Sequence, residues 1–286
     1  MPISTRAVVS ASFRSTRIYP TNADLFPVPR GVTGTDAYPG YEIIGSRGLT
    51  IQIPEARRIV HSGDDRVLAV TLLPPEDPVT GELTTASMDL EADSILTGLP
   101  GAQALLDGMH APRATDLLGN EPVIWFKTCS QATDVDRLGT TTGAGRWWNR
   151  FFLGRALARG PRMEYGTAIE SSYSVVANPT RRYPWGQLVD PSIVGYREYT
   201  ILEIVTQYPL RMDVAIWDGA DATFTLTRAA VPDGDAYDKV RVFVNGTAYT
   251  NTQYTVNAAR TEVTFTAGNI PPNGAIVVVV YESDLP

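Results

Sequence analysis

Runs of alternating apolar and polar residues dominate the chain and predict a mainly β protein. The segments LTIQIP (49–54), RVLAVTLLP (66–74) and PVIWFK (122–127) are short and rich in β-branched or aromatic residues, which is typical of strands. From Tyr196 to the end of the sequence almost every segment has this character. These later runs are REYTILEIVT (197–206), LRMDVAIWD (210–218), TFTLTR (223–228), KVRVFVNG (239–246), YTVNA (254–258), TEVTFTAG (261–268) and AIVVVVYE (275–282).

Short turns separate the later strands, and this spacing favours a sandwich or barrel. Asn245-Gly246 is the strongest hairpin signal, because a type I′ turn needs a positive φ at both central positions. The apolar run Ala275–Tyr281 predicts a central strand. WDGADA (217–222) reads as a linker, so we expect a larger β domain over residues 1–216 and a small β-sandwich over 217–286.

Fewer segments are predicted to be helical or irregular. Residues 89–99 and 102–109 have a weak helical pattern, and Arg146–Arg159 fits one short helix with an aromatic stripe. Residues 1–48 are rich in Pro, Gly and Thr, which predicts an irregular arm with one strand near its start, at residues 6–10. An arm of this length would reach a neighbouring subunit or form a flexible tail.

Composition narrows the class of protein. The chain has 286 residues, 43% hydrophobic and 19% charged, and no apolar run reaches the roughly 18 residues of a membrane span. Its first residues lack the apolar core of a secretory signal, so we expect a soluble protein without membrane contact. Cys129 is the single cysteine, which excludes an intrachain disulfide, and two histidines make a histidine-based metal site improbable.

Charge is unevenly distributed along the sequence, around a net value of −7. Residues 213–286 hold nine acidic against four basic side chains, whereas residues 137–182 hold eight arginines against two acids. An acidic body with one basic island lacks the basic face that duplex DNA binding requires. Regions of opposite sign suit neighbours in a homo-oligomer, and a solvated mixture of charges is the simpler alternative.

Motifs for catalysis are missing from the sequence. It contains no phosphate-binding loop, no nucleophile elbow and no HExxH zinc motif, so we predict no enzyme, no catalytic residue, no cofactor and no metal. The loop Asp233-Gly-Asp235-Ala-Tyr-Asp238 carries carboxylates that could bind calcium. Because it lacks the EF-hand spacing, a solvated turn is favoured.

The C-terminal segment resembles a β module of tailed-bacteriophage virion proteins. The resemblance rests on VRVFVNG (240–246), YTV (254–256), VTFT (263–266) and PNGAIVVVVY (272–281). Residues 57–98 are similar in layout to the tail tube protein of a long-tailed phage, with a strand, a loop and a second segment leading to a helix. The resemblance implies a β-sandwich tube-type domain with a flanking helix and long loops, plus the appended C-terminal β-sandwich.

The same resemblance implies a structural virion protein that forms stacked, hexameric rings. Its expected partners are copies of itself, other virion proteins and the genomic DNA, which passes without tight binding. Its expected location is the virion tail, assembled in the host cytoplasm. We place the subunit contacts in the arm, the aromatic helix and the RRYPW loop (181–185), at Arg14, Arg17, Tyr19, Arg30, Trp147, Trp148, Arg150, Phe151, Phe152, Arg155, Arg181, Arg182 and Trp185.

Other functions remain open at this stage. A capsid decoration or cement protein, or a tail fibre or adaptor protein, predicts a fixed small oligomer instead of open-ended stacking. A carbohydrate-binding protein would stack sugars on Trp185 and Trp217. The alternation of arginine with aromatic residues in 146–159 also suits a membrane-interface helix or a platform for single-stranded nucleic acid, against the simpler reading of a helix packed on a sheet.

Overall fold

The computed structural model describes residues 7–31, 34–54, 57–63, 66–73, 78–86, 89–98, 122–135, 146–157, 171–190, 201–232 and 240–284. The predicted mainly β fold is confirmed, with antiparallel sheets and a single helix in these residues. The elements of the N-terminal part are β1 (Ala7–Pro20), β2 (Tyr41–Glu42), β3 (Ser46–Gln52), β4 (Arg57–Gly63), β5 (Arg66–Leu73), β6 (Thr80–Thr85), α1 (Leu90–Thr97), β7 (Val123–Val135), β8 (Arg146–Leu157), β9 (Ser171–Ala177) and β10 (Ile201–Thr206).

Shorter strands make up the C-terminal part. They are β11 (Leu210–Ile216), β12 (Thr223–Thr225), β13 (Val240–Val244), β14 (Thr247–Ala248), β15 (Tyr254–Val256), β16 (Glu262–Phe265) and β17 (Ile276–Glu282). The strands predicted at 49–54, 66–74 and 122–127 and all seven C-terminal strands are therefore confirmed, although β7 extends eight residues past its predicted end at Lys127.

The N-terminal strands form one curved antiparallel sheet in the order β2-β1-β7-β8-β9-β6-β3. One edge of β8 is shared by two strands: β10 pairs with its first half, and β9 pairs with its second half. The first and last strands of this order, β2 and β3, are separated along the chain only by residues 43–45. The sheet therefore curves until its two ends meet. The hairpin of β4 and β5 stands apart from this sheet.

Helix α1 covers the concave face of the curved sheet. Asp89 caps its N-terminus by accepting a hydrogen bond from Ala92 N, and Gly98 ends it with a φ of 71°. This confirms the helix predicted at 89–99; the one predicted at 102–109 lies outside the described residues. The concave core comprises Ile18, Ile43, Leu49, Leu83, Ala92, Ile95, Leu96, Ile124, Phe126, Phe152, Ala156, Tyr173 and Val175.

Two sheets face each other in the C-terminal part, one in the order β11-β17-β13-β14 and one in the order β12-β16-β15. Strand β17 lies between β11 and β13, as predicted for the apolar run at 275–281. Asn245 and Gly246 have φ values of 47° and 77°, which confirms the predicted tight hairpin turn. The core between these sheets comprises Ala215, Trp217, Phe224, Leu226, Ala230, Val240, Val242, Val244, Tyr254, Val263, Phe265, Ala275, Val277, Val279 and Tyr281.

A third apolar cluster joins the two parts, and we call it the seam. It lies between the outer face of β1, β7 and β8 and the outer face of the β11-β17-β13 sheet. Alternate residues of each strand therefore serve two different cores, as the two-residue period of a strand requires. The buried residues of the seam are Tyr19, Tyr38, Trp125, Phe151, Leu153, Leu210, Met212, Val214, Phe243, Val278 and Val280.

Two predicted elements are wrong. Residues 7–20 form the long strand β1 between β2 and β7; this confirms the strand predicted at 6–10, but the strand continues to Pro20 where an irregular arm was expected. Residues 146–157 form strand β8 instead of a helix, hydrogen-bonded to β7 on one edge and to β9 and β10 on the other. Aromatic residues favour strands as well as apolar helix faces, and pairing along both edges decides the outcome here.

The segment WDGADA does not link two units. Trp217 is 1% exposed in the C-terminal core, its backbone N–H donates to Ala275 O, and its indole donates to Asp221 O. The preceding strand β11, which lies before the predicted boundary at 216–217, pairs along its full length with β17. The C-terminal sheet therefore begins at Leu210.

Candidate functional site

The predicted contact residues of segment 146–159 are divided between the two faces of β8. Phe151 packs in the seam and Phe152 in the concave core, and both are fully buried. Arg155 is half-buried, next to Val123 of β7 in the register of the sheet. The strand therefore uses both phenylalanines inside the subunit, where a helix would have placed them on one surface.

Trp147, Trp148 and Arg150 lie at the other end of β8 and remain partly exposed. Arg150 Nε donates to Glu203 Oε1 on β10 at 2.8 Å, and its guanidinium carbon lies 4.9 Å from the centre of the Trp148 ring. This end of the strand combines an ion pair with a cation–π contact. It is the part of the predicted contact segment that reaches the surface.

The N-terminal contact residues are also divided between surface and interior. Arg14 is exposed and donates to Gln131 Oε1, whereas Tyr19 is fully buried in the seam. Arg17 is 8% exposed and donates to Glu42 Oε2 on the adjacent strand. The strand brings these three residues into one sheet, but only Arg14 is displayed at the surface.

Arg30 lies beside helix α1, away from the other predicted contacts. Its guanidinium donates to Ser94 Oγ at 2.6 Å and lies 3.7 Å from Glu91 Oε1. These contacts attach the loop after β1 to the helix. Arg30 thus supports the concave side of the sheet within its own subunit.

The RRYPW loop packs on the C-terminal unit. The Trp185 ring stacks on Tyr183 at 5.1 Å and on Phe243 at 5.6 Å between ring centres. Arg182 lies over the Phe26 ring, and Arg181 is exposed. The loop therefore connects the turn after β1 with strand β13, and Trp185 fills the edge of the seam.

Two glycines allow this loop to approach the β13–β14 hairpin. A Cβ on Gly246 would lie 2.4 Å from Gly186 O, and a Cβ on Gly186 would lie 2.2 Å from the Phe26 ring. Both residues also have a positive φ, of 77° and 85°. The Asn-Gly turn predicted from sequence thus makes a second contact that its sequence signal does not reveal.

A cavity of about 180 Å³ opens at the edge of the seam beside Trp185. Its apolar wall is formed by Ile204, Leu210, Phe243 and Val280. Its polar groups are Gln187, Thr206, Arg241 and Glu282, the last of which already accepts from Tyr208 N at 3.0 Å. The cavity is smaller than the roughly 300 Å³ at which pockets for drug-sized ligands begin.

Polar contacts fix the two parts against each other across the seam. The Tyr19 hydroxyl lies 2.9 Å from Pro39 O and 3.0 Å from Met212 O. Leu210 N donates to Asn149 Oδ1 at 3.2 Å, and Tyr38 and Val214 form a backbone bridge. Burial raises the pKa of Tyr38 to about 12 and that of Tyr19 further, so both hydroxyls keep their protons.

Buried charge accumulates on the β1–β7 side of the seam. Arg17 and Lys127 are directly paired residues of adjacent strands and are 8% and 2% exposed. Burial lowers the pKa of Lys127 to about 8, with the Cys129 thiol acting in the opposite direction and Arg17 in the same one. Burial also raises the pKa of Cys129 and lowers that of Arg211.

The opposite face of β11 carries a buried carboxylate with a full set of donors. Asp213 accepts hydrogen bonds from Thr227 N, Thr227 Oγ1 and Tyr281 Oη, each at 2.8 Å. Burial raises the pKa of Asp213, and these hydrogen bonds act against that rise. The carboxylate ties the loop after β12 to the central sheet of the C-terminal unit.

These arrangements are suited to holding surfaces together. In the parts of the chain that the structure describes, no three His, Cys, Asp or Glu side chains are grouped to hold a metal ion. No helix among the described residues is long and apolar enough to span a membrane. The calcium candidate at 233–238 lies outside the described residues. Trp217 is buried in the C-terminal core, so of the two tryptophans considered for sugar stacking only Trp185 lines a cavity.

Comparison with known proteins gives no family for this chain. No protein-family model matches the sequence, and a search of curated proteins finds no similar protein.

The residues that sequence reasoning missed are Lys127, Asp213 and Asn149. Lys127 is the single charged residue of PVIWFK, and Asp213 lies two residues after Arg211 in the otherwise apolar strand LRMDVAI. Charged residues are rarely buried without a specific environment. A charge within a mostly apolar strand is the signal that would have singled out both residues.

Proposed function

We propose that this chain is a structural virion subunit that assembles into stacked rings and forms the tail tube of a long-tailed phage. The proposal rests on the resemblance of its motifs and on one structural observation, the hairpin of β4 and β5. A hexameric ring, an acidic lumen and a C-terminal unit on the outside of the tube follow from the resemblance.

The β4–β5 hairpin is the feature that most needs a partner. Its strands pair with each other from Arg57–Leu73 to Gly63–Arg66, and neither strand pairs with any other strand of the described residues. A two-stranded hairpin is at best marginally stable by itself in water. The sequence of β5, RVLAVTLL, is mostly apolar. Docking on a neighbouring subunit would stabilise the hairpin and hold adjacent subunits together.

Charge and chemistry support the same proposal. A conduit for DNA needs a wall that does not bind phosphates, and the chain carries a net charge of −7. Tube assembly needs no catalytic group. The seam buries a large apolar surface between the curved sheet and the C-terminal unit, so the appended unit would be carried as part of the subunit.

The direct test is negative-stain electron microscopy with light scattering, on the purified protein at low and high concentration. Rings or stacked tubes are expected. A stable monomer at high concentration contradicts the proposal, and a discrete trimer favours the decoration or fibre alternative.

A pair of variants then tests the role of the hairpin. Val60 and Val70 are directly paired in the hairpin, so Val60→Asp with Val70→Asp places two carboxylates opposite each other. This double variant is expected to abolish rings while leaving a folded monomer by circular dichroism. Ile216→Asp is the control, because Ile216 is 42% exposed on β11, which belongs to the C-terminal sheet and pairs with β17 instead of the hairpin. Equal loss of rings in both variants contradicts a specific role of the hairpin.

A further inference from the structure

Two like charges meet in the interior where the curved sheet contacts the C-terminal unit. Arg17 of β1 and Lys127 of β7 are directly opposite in the antiparallel register, so their side chains lie on the same face of the sheet. Phe151 of β8 flanks Lys127 on its other side and packs in the seam. A like-charged pair in this position disfavours the folded state, and burial increases the penalty.

The two cations differ in their partners. Arg17 donates to Glu42 Oε2 and to Pro39 O, so its charge is balanced within the N-terminal sheet. Among the described residues, the carboxylate that acts on Lys127 is that of Glu42, which already pairs with Arg17. The third cation, Arg211 of β11, donates to Ser283 Oγ at 3.1 Å. Lys127 is therefore the member of this cluster whose positive charge is least compensated.

Among the described residues, the titratable groups that act on Lys127 are Arg17 on β1, Glu42 on β2, Cys129 on β7 and Arg211 on β11. Tyr19, Asp213 and Tyr281 act in turn on Arg211. The arginines stay charged at all relevant pH values, and the tyrosines stay neutral below about pH 10. Glu42 is already paired with Arg17. Of Lys127 and the four groups that act on it, only Lys127 and Cys129 change charge between neutral pH and about pH 10.

We propose that Lys127 is a proton switch at the seam, and that release of its proton tightens the contact between the curved sheet and the C-terminal unit. With a neutral amine, Lys127 no longer repels Arg17 and Arg211 and no longer requires hydration. The switch is independent of ring assembly, because all the residues involved lie within one subunit.

The sign of the effect follows from proton linkage. The pKa of Lys127 is about 8 in the folded chain and about 10.4 in an unfolded one. Between these values the unfolded chain binds more protons, so stability rises with pH. Cys129 acts in the opposite direction, because burial raises its pKa and the folded thiol keeps a proton that the unfolded thiol loses. A Cys129→Ala background removes this opposing change.

The experiment compares Cys129→Ala with Cys129→Ala/Lys127→Met in urea unfolding at several pH values. From pH 7 to pH 9.5 the unfolding equilibrium of the lysine-containing protein should shift about 25-fold further toward the folded state than that of the methionine variant. Ionisation of the tyrosines affects the unfolding equilibrium of both proteins equally, so it cancels in the ratio of the two equilibrium constants. A ratio that stays constant over this range overturns the proposal.

A second measurement does not depend on the folding of any Lys127 variant. The sequence has only two lysines, Lys127 and Lys239, so lysine-selective ¹³C NMR of the full chain yields two titration curves. Lys239→Arg assigns the signals. One curve with a midpoint near 8 is expected for Lys127; two midpoints above 10 overturn the proposal. If the protection of the β11 amides against hydrogen exchange rises as Lys127 loses its proton, the proton is linked to the seam. Protection that stays constant through this titration contradicts the link.

Discussion

The C-terminal core and the seam are built on opposite faces of the same sheet, β11-β17-β13, yet they accommodate buried charge differently. On the core face, the Asp213 carboxylate accepts three hydrogen bonds at 2.8 Å. On the seam side, Lys127 of the facing sheet is 2% exposed and is repelled by the like charges of Arg17 and Arg211. A buried charge with a full set of partners fixes a structure, whereas an incompletely paired charge makes a contact depend on conditions.

The largest effect is expected for Trp217→Ala in the C-terminal core. Trp217 is 1% exposed, stacks on Phe224 and contacts Phe265 edge-on. Its truncation should lower the free energy of unfolding by about 3–5 kcal/mol in urea denaturation. Trp185→Ala, at the half-buried edge of the seam, should cost about half as much. Equal costs would mean that the seam is packed as completely as the core.

Asp213→Asn is expected to lower the free energy of unfolding by about 2–3 kcal/mol. The amide NH₂ group of Asn would face hydrogen-bond donors where the Asp213 carboxylate has an acceptor oxygen. The pKa of Asp213 is raised, so the folded chain holds this proton above the ordinary value of about 3.9. The stability that this proton contributes is fully present below about pH 3.9. It is lost as the pH rises from there through the raised pKa of Asp213 in the folded chain. Asp213→Asn should remove that fall in unfolding measurements made at increasing pH above about 4. A variant as stable as the parent would show that the carboxylate network is dispensable.

Two glycine substitutions test whether the RRYPW loop secures the seam. Gly246→Ala combines an unfavourable positive φ with a clash against Gly186 O, and should cost about 2–4 kcal/mol. Gly268 has a φ of 83° with open space around it, so Gly268→Ala should cost about 1–2 kcal/mol. Thermal unfolding of both variants measures the difference. Identical shifts of the unfolding temperature in both variants would show that the contact between Gly246 and the RRYPW loop does not stabilise the seam.

The smallest effects are expected for two ion pairs. Glu203→Gln breaks a partly exposed pair with Arg150 and should cost about 0.2–1 kcal/mol. Glu42→Gln leaves Arg17, whose side chain is 10% exposed, without its anion and should cost more. Raising the salt concentration should weaken the Arg150 pair and affect the Arg17 pair less. The reverse order in urea denaturation would contradict the buried position of Arg17.

Local sequence signals predicted most of the C-terminal unit. Its strands are short and alternate in polarity, and Asn245-Gly246 fixes one hairpin through backbone conformation alone. The central position of β17 follows from its apolar run, which is buried on both faces. The helix at α1 was likewise predicted, because its Asp89 cap and Gly98 end are local features.

Long-range pairing decided what the sequence did not predict. The aromatic segment of β8 fits a helical pattern and lacks the strict alternation of a strand, because its adjacent residues Phe151 and Phe152 enter different cores. Strand β1 was predicted only at residues 6–10 and read as irregular beyond them, but it pairs with β7 from Ala7 to Pro20. The candidate switch at Lys127 depends on Arg17, more than a hundred residues away, and no local pattern can reveal that pairing.

The distance along the chain between β1 and β7 has a consequence for biosynthesis. Arg14 and Gln131, hydrogen-bonded across these strands, are 117 residues apart. At about 5–20 residues per second, the N-terminal strand waits roughly 6–25 s on the ribosome before its partner is made. During this interval most of β1 lacks a partner strand, because β2 pairs only with Arg17 and Ile18, and hairpins such as β4–β5 can form first from local contacts. The nascent chain is therefore most exposed to misassociation in its first half, and a translational pause before residue 135 would prolong that exposure.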